Sequence, residues 1–214
     1  MICQRLIISC QTQSHPMTAL VRAAALTNFL DVAQDLGLNP QPLLRDVGLS
    51  RALLADPEQR IPAASAVRLL EMAAQATGNS QFGLRMAESR QLSDFGVVSL
   101  LISHQRSLRD ALSVTMQYRH LLNDTLAMQL EDAGDMVIIR EEVVATAPSR
   151  QATELALGVL FRMCAAVMGG RWAPRSVNFS HEAPADLSLH KRVFACRLEF
   201  GSEFNGIVCR AADL

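Results

Sequence analysis

The stretch that decides the fold runs from Leu126 to Met168 and reads LAMQLEDAGDMVIIREEVVATAPSRQATELALGVLFRMCAAVM. It begins with two strand-like runs, Leu126–Leu130 and Met136–Val144, joined by a polar connection of hairpin length, Glu131–Asp135. It ends with Arg150–Met168, which is apolar on nearly every side and stops at a pair of glycines, as is typical of a helix enclosed by the fold. A hairpin followed by an enclosed helix predicts a sheet that packs on that helix.

Helical patterns fill the chain before this stretch. Apolar residues at helical spacing predict an amphipathic helix over about Leu20–Leu36, ended by Gly37 and Pro40. Pro62 at a first-turn position and Gly78 beyond the last turn bracket a further helix. Other helical segments are predicted at Pro42–Val47, Arg51–Leu54, Gln81–Glu88, Phe95–Ser103 and after the cap Ser107.

Short elements complete the chain after the enclosed helix. Strands are predicted at Ser176–Ser180, Leu198–Phe200 and Gly206–Arg210, with a helix over Leu187–Phe194. The predicted fold class is therefore α+β: a helical N-terminal half, followed by a mainly antiparallel small sheet packed on a long buried helix.

The composition is that of a globular protein without a surplus of positive charge. Half of the 214 residues are hydrophobic, which is enough for a substantial core. Twenty basic residues against 21 acidic ones give a formal charge of -1, so the chain lacks the basic excess of a domain that binds a phosphate backbone alone. No uninterrupted apolar stretch approaches the roughly 18 residues that a membrane helix needs, and we expect no membrane contact.

The cysteines and the N-terminus point to the cytoplasm. Five scattered cysteines are an odd number and do not form a disulfide framework. The apolar run Leu6–Ile8 is far shorter than the roughly 7 to 15 residues of a signal peptide's hydrophobic region. Because the helical pattern begins just after Met17, residues 1–17 are predicted to be a loose tail or to precede the true start, and residues 18–214 to form one domain.

The local signatures of enzymes and metal sites are missing from the sequence. No histidine stands four residues from another histidine or from a cysteine, and neither Cys-x-x-Cys nor His-Glu-x-x-His occurs. Gly-x-Ser-x-Gly, Gly-x-Gly-x-x-Gly and the P-loop are absent as well. The sequence therefore predicts no enzyme, no metal site and no cofactor.

Polar residues gather near the junction of the helical half and the hairpin. Tyr118 and His120 lie there, with His104 one helix earlier, and they can supply the few polar groups that a small-molecule pocket needs in an apolar wall. Alternatively, His120 is solvated and Tyr118 is a core residue whose hydroxyl group has a partner. Both interpretations stay open at this point.

The enclosed helix carries a second candidate group. Glu154, Gly158 and Arg162 follow one another at intervals of four and therefore share one stripe of the helix. The glycine permits close approach of a ligand or a neighbouring backbone, and the two charges can orient a polar ligand. The alternative is a plain solvated stripe. The candidate ligand-binding residues are thus His104, Tyr118, His120, Glu154 and Arg162.

Several motifs together resemble a known family. Phe82–Arg85 (FGLR) and Ser93–Gly96 (SDFG) resemble its "FGLR … GDFG" stretch. Val177–Asp186 (VNFSHEAPAD), followed by Phe194–Gly201 (FACRLEFG) and Asn205, resembles its "V-x-F-x-H-x-x-P-x-D … F-x-C-x-V-x-F-G … N". The family is the arabinose-binding-like N-terminal domain of AraC-type transcription regulators, and the likeness extends over most of the chain from about Leu20.

The resemblance implies a role in transcription control. Members are cytoplasmic regulators whose N-terminal domain senses a small molecule or mediates dimerisation, while a C-terminal pair of helix-turn-helix motifs binds DNA. We therefore expect a ligand-sensing and dimerisation domain that acts on DNA only through a C-terminal domain missing from this chain. The expected partners are a small metabolite, whose identity the resemblance does not give, and a second copy of the chain.

Two other interpretations remain open. The chain can be a pure interaction module whose cavity is filled by its own side chains. It can also be a haem-type gas sensor or a small-molecule enzyme on a similar α+β layout, in which case His104 or His120 would ligate a haem iron. The sensor interpretation places its ligand in a cavity between the helical half and the sheet.

Overall fold

The computed structural model describes residues 19–144, 148–169 and 172–214. The predicted tail at residues 1–17 lies outside these residues. Within them, no helix is both long enough and apolar enough to cross a membrane.

The first element differs from the helix predicted over Leu20–Leu36. A strand β1 (Leu20–Arg22) and a 3-10 turn (Ala23–Leu26) precede a shorter helix α1 (Phe29–Asp35). Strand β1 pairs antiparallel with β2 (Arg60–Pro62), and Asn28 adopts a left-handed φ of 70° that interrupts any continuous helix. The helix prediction was wrong in its first half because this pairing partner lies about forty residues away.

The other helices of the N-terminal half are confirmed with small shifts at their ends, except that the helix after Ser107 is interrupted at Tyr118. Ser107 accepts a hydrogen bond from the Asp110 backbone N–H, as predicted for a helix cap, and Gly78 ends its helix with a φ of 63°. The bounds are α2 (Gln41–Asp46), α3 (Arg51–Ala55), α4 (Ala63–Thr77), α5 (Phe82–Glu88), α6 (Val97–Ser103), α7 (Leu108–Gln117) and α8 (Arg119–Leu122).

The main sheet has five strands: β3 (Leu126–Ala133), β4 (Met136–Val143), β5 (Ser176–Asn178), β6 (Arg197–Glu199) and β7 (Gly206–Arg210). Their order in the sheet is β3-β4-β7-β5-β6, and only β5 and β6 run parallel to each other. The turn of the β3–β4 hairpin consists of Gly134 and Asp135 alone, because β3 extends further than predicted.

The long helix α9 (Arg150–Val167) packs between the helical half and the sheet, and the short helix α10 (Ser188–Phe194) lies against it. Two glycines allow α9 to approach α5 closely. A Cβ atom added to Gly158 would lie 2.5 Å from the Cβ atom of Ala87, and one added to Gly83 would lie 2.1 Å from the Gln151 carbonyl oxygen. The predicted α+β fold, with a small sheet on a long buried helix, is confirmed.

Candidate functional site

A cavity of about 150 Å³ lies between the helical half and the sheet. Small and aliphatic side chains of α4, α9 and the hairpin form most of its wall, among them Ala66, Leu70, Ala156, Val159, Met128 and Val143. Alanines at facing positions of α4 and α9 leave the space, because close-packed interiors need larger side chains to close such gaps. The cavity lies where the sequence analysis expects a ligand.

The strand β4 places a carboxyl group in this apolar wall. Alternation along the strand buries Val137, Ile139 and Glu141 on one face. Glu141 is only 3% exposed, and its Oε2 atom has no hydrogen-bond partner among the described residues. Burial, with a smaller contribution from the neighbouring Glu142, raises the pKa of Glu141 to about 8. At neutral pH this carboxyl group is therefore mostly protonated.

Arg90 is the buried cation of the opposite, helical wall. Its Nη1 and Nη2 atoms donate to the carbonyl oxygens of Ala24 and Ala25 at 2.5 and 2.6 Å, and Asp94 lies 3.9 Å away. Its Nε atom is buried without a partner in the described part of the chain. Burial lowers the pKa of Arg90 to about 10, so the side chain stays charged at neutral pH.

Arg22 separates the cavity from a groove on the outside of the protein. Its Nε atom donates to Glu58 Oε2 at 3.0 Å, and its Nη1 atom donates to the Asp94 carbonyl oxygen at 3.2 Å. The outer groove shares Arg22, Phe95 and Leu122 with the cavity. Arg119 is the one exposed side chain among the residues that line the cavity, and it marks the rim.

A second polar cluster lies on a different face of α9. Glu154 is fully buried, and its Oε1 atom accepts from Arg150 Nε at 2.9 Å. The Nε2 atoms of His190 and His181 lie 3.2 and 3.5 Å from the same oxygen. Burial lowers the pKa of His181. The cluster ties α9 to α10 and to the segment that follows β5.

The Val177–Asp186 motif therefore has a structural role in this fold. The Phe179 ring packs between the rings of His181 and His190, with centroids 5.2 and 5.6 Å away. Asp186 accepts hydrogen bonds from the backbone and the side chain of Ser188, where α10 begins. No group of three or more possible metal ligands occurs within the described residues.

The five side chains predicted to bind a ligand are not brought together. Glu154 belongs to the buried cluster. Tyr118 is half-buried, and its ring lies 6.4 Å from the ring of His120. His120 borders the outer groove. His104 is exposed beside the Leu100 carbonyl oxygen, and Arg162 is exposed with its Nε atom donating to the Arg90 carbonyl oxygen at 3.2 Å. None of the five lines the cavity, and their contact with a ligand stays a prediction.

Sequence reasoning missed Glu141 and Arg90 as buried polar residues of the cavity wall. The run Arg140-Glu141-Glu142 has the appearance of a solvated stretch. The available signal was the strand alternation, because Glu141 falls in register with Val137 and Ile139. For Arg90 the sequence carries no comparable signal, since its partners are backbone carbonyl groups remote in the chain.

Comparison with known proteins gives a consistent result. The family described as "Arabinose-binding domain of AraC transcription regulator, N-term" matches residues 37–214. The HTH-type transcriptional regulator VirS of Mycobacterium tuberculosis, in strains CDC 1551 / Oshkosh and ATCC 25618 / H37Rv, is 23% identical over 192 residues, which is 88% of this chain and 56% of the relative. The chain thus spans about half the length of these relatives.

A solved structure shares the fold. The crystal structure of the transcriptional regulator CdpR from Pseudomonas aeruginosa superposes with a TM-score of 0.53 at 17% sequence identity, covering 86% of this chain and 56% of that one. The family match extends over most of the chain. The chain therefore belongs to the family of N-terminal arabinose-binding domains of AraC transcription regulators.

Proposed function

We propose that this chain is the effector-sensing domain of an AraC-type regulator and binds a small metabolite in the cavity between α4, α9 and the β3–β4 hairpin. Ligand binding there would control a DNA-binding domain in the full regulator. The family match and the regulators that this chain resembles support the role. The observation that carries it is Glu141, a buried carboxyl group that has no hydrogen-bond partner for its Oε2 atom among the described residues and lies in a mostly apolar wall.

Such a group does not help the chain to fold. Burial of an unsatisfied polar group costs about 1 to 3 kcal/mol. The pKa of Glu141 is raised from an ordinary 4.5 to about 8, so above pH 4.5 the folded chain holds a proton that the unfolded chain releases. The free energy of unfolding therefore falls as pH rises from about 4.5 to 8. A costly group in a cavity is typical of a binding site.

We expect Glu141→Leu to stabilise the protein. Leucine fills similar space without an unpartnered polar atom, so the free energy of unfolding at pH 8 should rise by about 1 to 3 kcal/mol. Urea unfolding between pH 5 and 8 measures this, and the fall of stability with pH should flatten. Glu203→Leu, at an exposed loop position, is the control and should change little. Destabilisation by Glu141→Leu would mean that the carboxyl group has a stabilising partner.

Ligand binding is tested by filling the cavity. Ala156 on α9 lines it, and Ala166 on the same helix is exposed. A metabolite at 100 times its dissociation constant adds about 2.7 kcal/mol to the free energy of unfolding. For a domain of this size, a thermal-shift screen should show a rise in midpoint of about 5 to 11 °C. Ala156→Phe should abolish the shift, and Ala166→Phe should preserve it.

The screen also discriminates between an effector-sensing domain and a ligand-free interaction module. If no metabolite shifts the midpoint, or if Ala156→Phe leaves the shift intact, the cavity is not the effector site. A ligand-free interaction module would then explain the fold better. Tyr118→Phe, His120→Ala and Arg162→Ala test the residues proposed from the sequence, and each should reduce the shift if these side chains contact the ligand.

We also propose that the chain self-associates through α6. Val97 and Leu100 are 62% and 63% exposed, and Leu101 and Leu121 are exposed beside them. Helix α6 carries no charged residue, so two copies can face each other across a two-fold axis without repulsion between like charges. Apolar patches of this kind commonly mark interfaces between proteins.

Leu100→Glu should convert the dimer to a monomer. A two-fold interface would place two carboxylates in an apolar contact, which strongly disfavours association. Light scattering across the micromolar range measures the mass, and Gln117→Glu on the exposed face of α7 is the control. A monomeric mass for the unmodified chain would contradict the proposal.

A further inference from the structure

We propose that the cavity selects ligands that carry an ammonium group on a compact apolar body, with Glu141 as the anion that binds the ammonium group. The inference rests on the proposed function and adds the chemical class of the effector. Its basis is the set of charged groups around the cavity and the partners that each one already has.

Glu141 is the acidic group of the wall that lacks a partner. The other carboxyl group of the lining, Asp94, accepts from the Gln91 backbone N–H at 3.0 Å and lies near Arg90. Glu141 makes no ion pair and its Oε2 atom accepts no hydrogen bond within the described part of the chain. A ligand that enters the cavity must therefore bring the donor.

The arginines that line the cavity do not supply this donor to Glu141. Arg22 is paired with Glu58, and Arg90 uses both Nη atoms on backbone carbonyl oxygens. Arg119 is exposed at the rim, where water and salt screen its charge. Among the buried arginine groups of the described lining, an anionic ligand would find the Nε atom of Arg90 without a partner, whereas a cation would find the Oε2 atom of Glu141.

The volume of the cavity and the polarity of its lining determine which apolar body the ligand can have. An apolar cavity of about 150 Å³ holds a molecule the size of benzene. The lining is mostly aliphatic, so it favours a body of about six carbon atoms without further polar groups. A charge-assisted hydrogen bond from an ammonium group to a carboxylate is about twice as strong as one between neutral groups. Glu141 should therefore prefer an amine to an alcohol of the same shape.

The preference should depend on pH. Because the pKa of Glu141 is raised to about 8, an ammonium ligand must displace a proton below that pH. The affinity for an amine should rise about 50-fold from pH 6 to pH 8 and level off above it. Cys164 nearby remains a thiol, since burial raises its pKa further. The other titratable or charged groups around Glu141 and the cavity are Glu142, Cys209, Arg22, Arg90, Arg119 and Asp94.

The test compares three probes that share one body: hexylamine, 1-hexanol and hexanoate. Titration calorimetry with the 214-residue chain at pH 8 should give hexylamine an affinity at least tenfold above the other two. Glu141→Gln keeps the shape of the side chain and should remove the preference and its pH dependence. Glu203→Gln removes an exposed carboxylate and should leave both unchanged.

Each contrary outcome overturns the inference in a recognisable way. Equal binding of hexylamine and hexanol, abolished for both by Ala156→Phe, would overturn the ammonium preference while leaving the effector site in place. Tightest binding of hexanoate would assign recognition to Arg90 instead. Hexylamine binding that survives both Glu141→Gln and Ala156→Phe would lie on the surface, and no binding of any probe would exclude a small amine as the ligand.

Discussion

Gly83→Ala is expected to lower the free energy of unfolding by about 3 kcal/mol, the upper range for overpacking in a core. The added Cβ atom would lie 2.1 Å from the Gln151 carbonyl oxygen, which belongs to the backbone of α9 and cannot rotate away. The Gly83 N–H group also donates to the Gln151 side chain at 2.9 Å, so any shift of α5 weakens that hydrogen bond. Chemical denaturation monitored by circular dichroism measures the loss.

Gly158→Ala provides the matched control on the facing helix. Its added Cβ atom would meet the Cβ atom of Ala87 at 2.5 Å, which is a side-chain obstacle and not a backbone one. Ala87→Gly should therefore rescue Gly158→Ala, whereas no side-chain substitution should rescue Gly83→Ala. Glycine to alanine in a helix otherwise gains about 1 kcal/mol, so a neutral or stabilising Gly83→Ala would contradict the close approach of α5 and α9.

Glu154→Ala is expected to cost about 3 to 5 kcal/mol, because removal of one partner from a buried ion pair leaves the other charge uncompensated. Arg150 and two histidines surround the carboxylate, and the Arg150 Nη2 atom already lacks a partner among the described residues. Glu154→Gln keeps an acceptor in place and should cost less. Urea denaturation at constant pH gives both values.

The control for this prediction is an ion pair on the surface. Glu88 and Arg192 form one at 2.5 Å, with both side chains more than a third exposed. Exposed pairs of this kind contribute at most about 1 kcal/mol, so Glu88→Ala should change the stability little. Equal losses in Glu154→Ala and Glu88→Ala would show that the buried cluster does not hold α9 against α10.

The sequence predicts the elements whose signals are local. Capping by Ser107, the left-handed ends at Gly78 and Gly134, and the apolar run of α9 all depend on neighbours within a few residues. The strand β1 could not be predicted in this way, because its pairing with β2 is long-range and its residues also fit a helical period. Local periodicity cannot choose between a short buried strand and a helix.

The candidate site was less predictable than the fold for a related reason. The sequence marks Glu154 as a functional candidate or as part of a solvated stripe, yet it is buried because α10 brings His190 to it from distant sequence. Glu141 was overlooked because two charged residues flank it, and only the inward register of β4 places it in the wall. The environment of a polar residue in a cavity depends on the residues across that cavity, and these lie far away in the sequence.

The two faces of α9 make different kinds of contact. One face carries Glu154 and Gly158, whose contacts with α10 and α5 hold the framework together. Another carries Ala156 and Val159, which line the cavity. Substitutions on the second face can change the shape of the cavity without disturbing the contacts of the first face. Under the proposed function, a duplicated gene for this domain could therefore acquire a new effector through changes in the cavity wall while the framework stays the same.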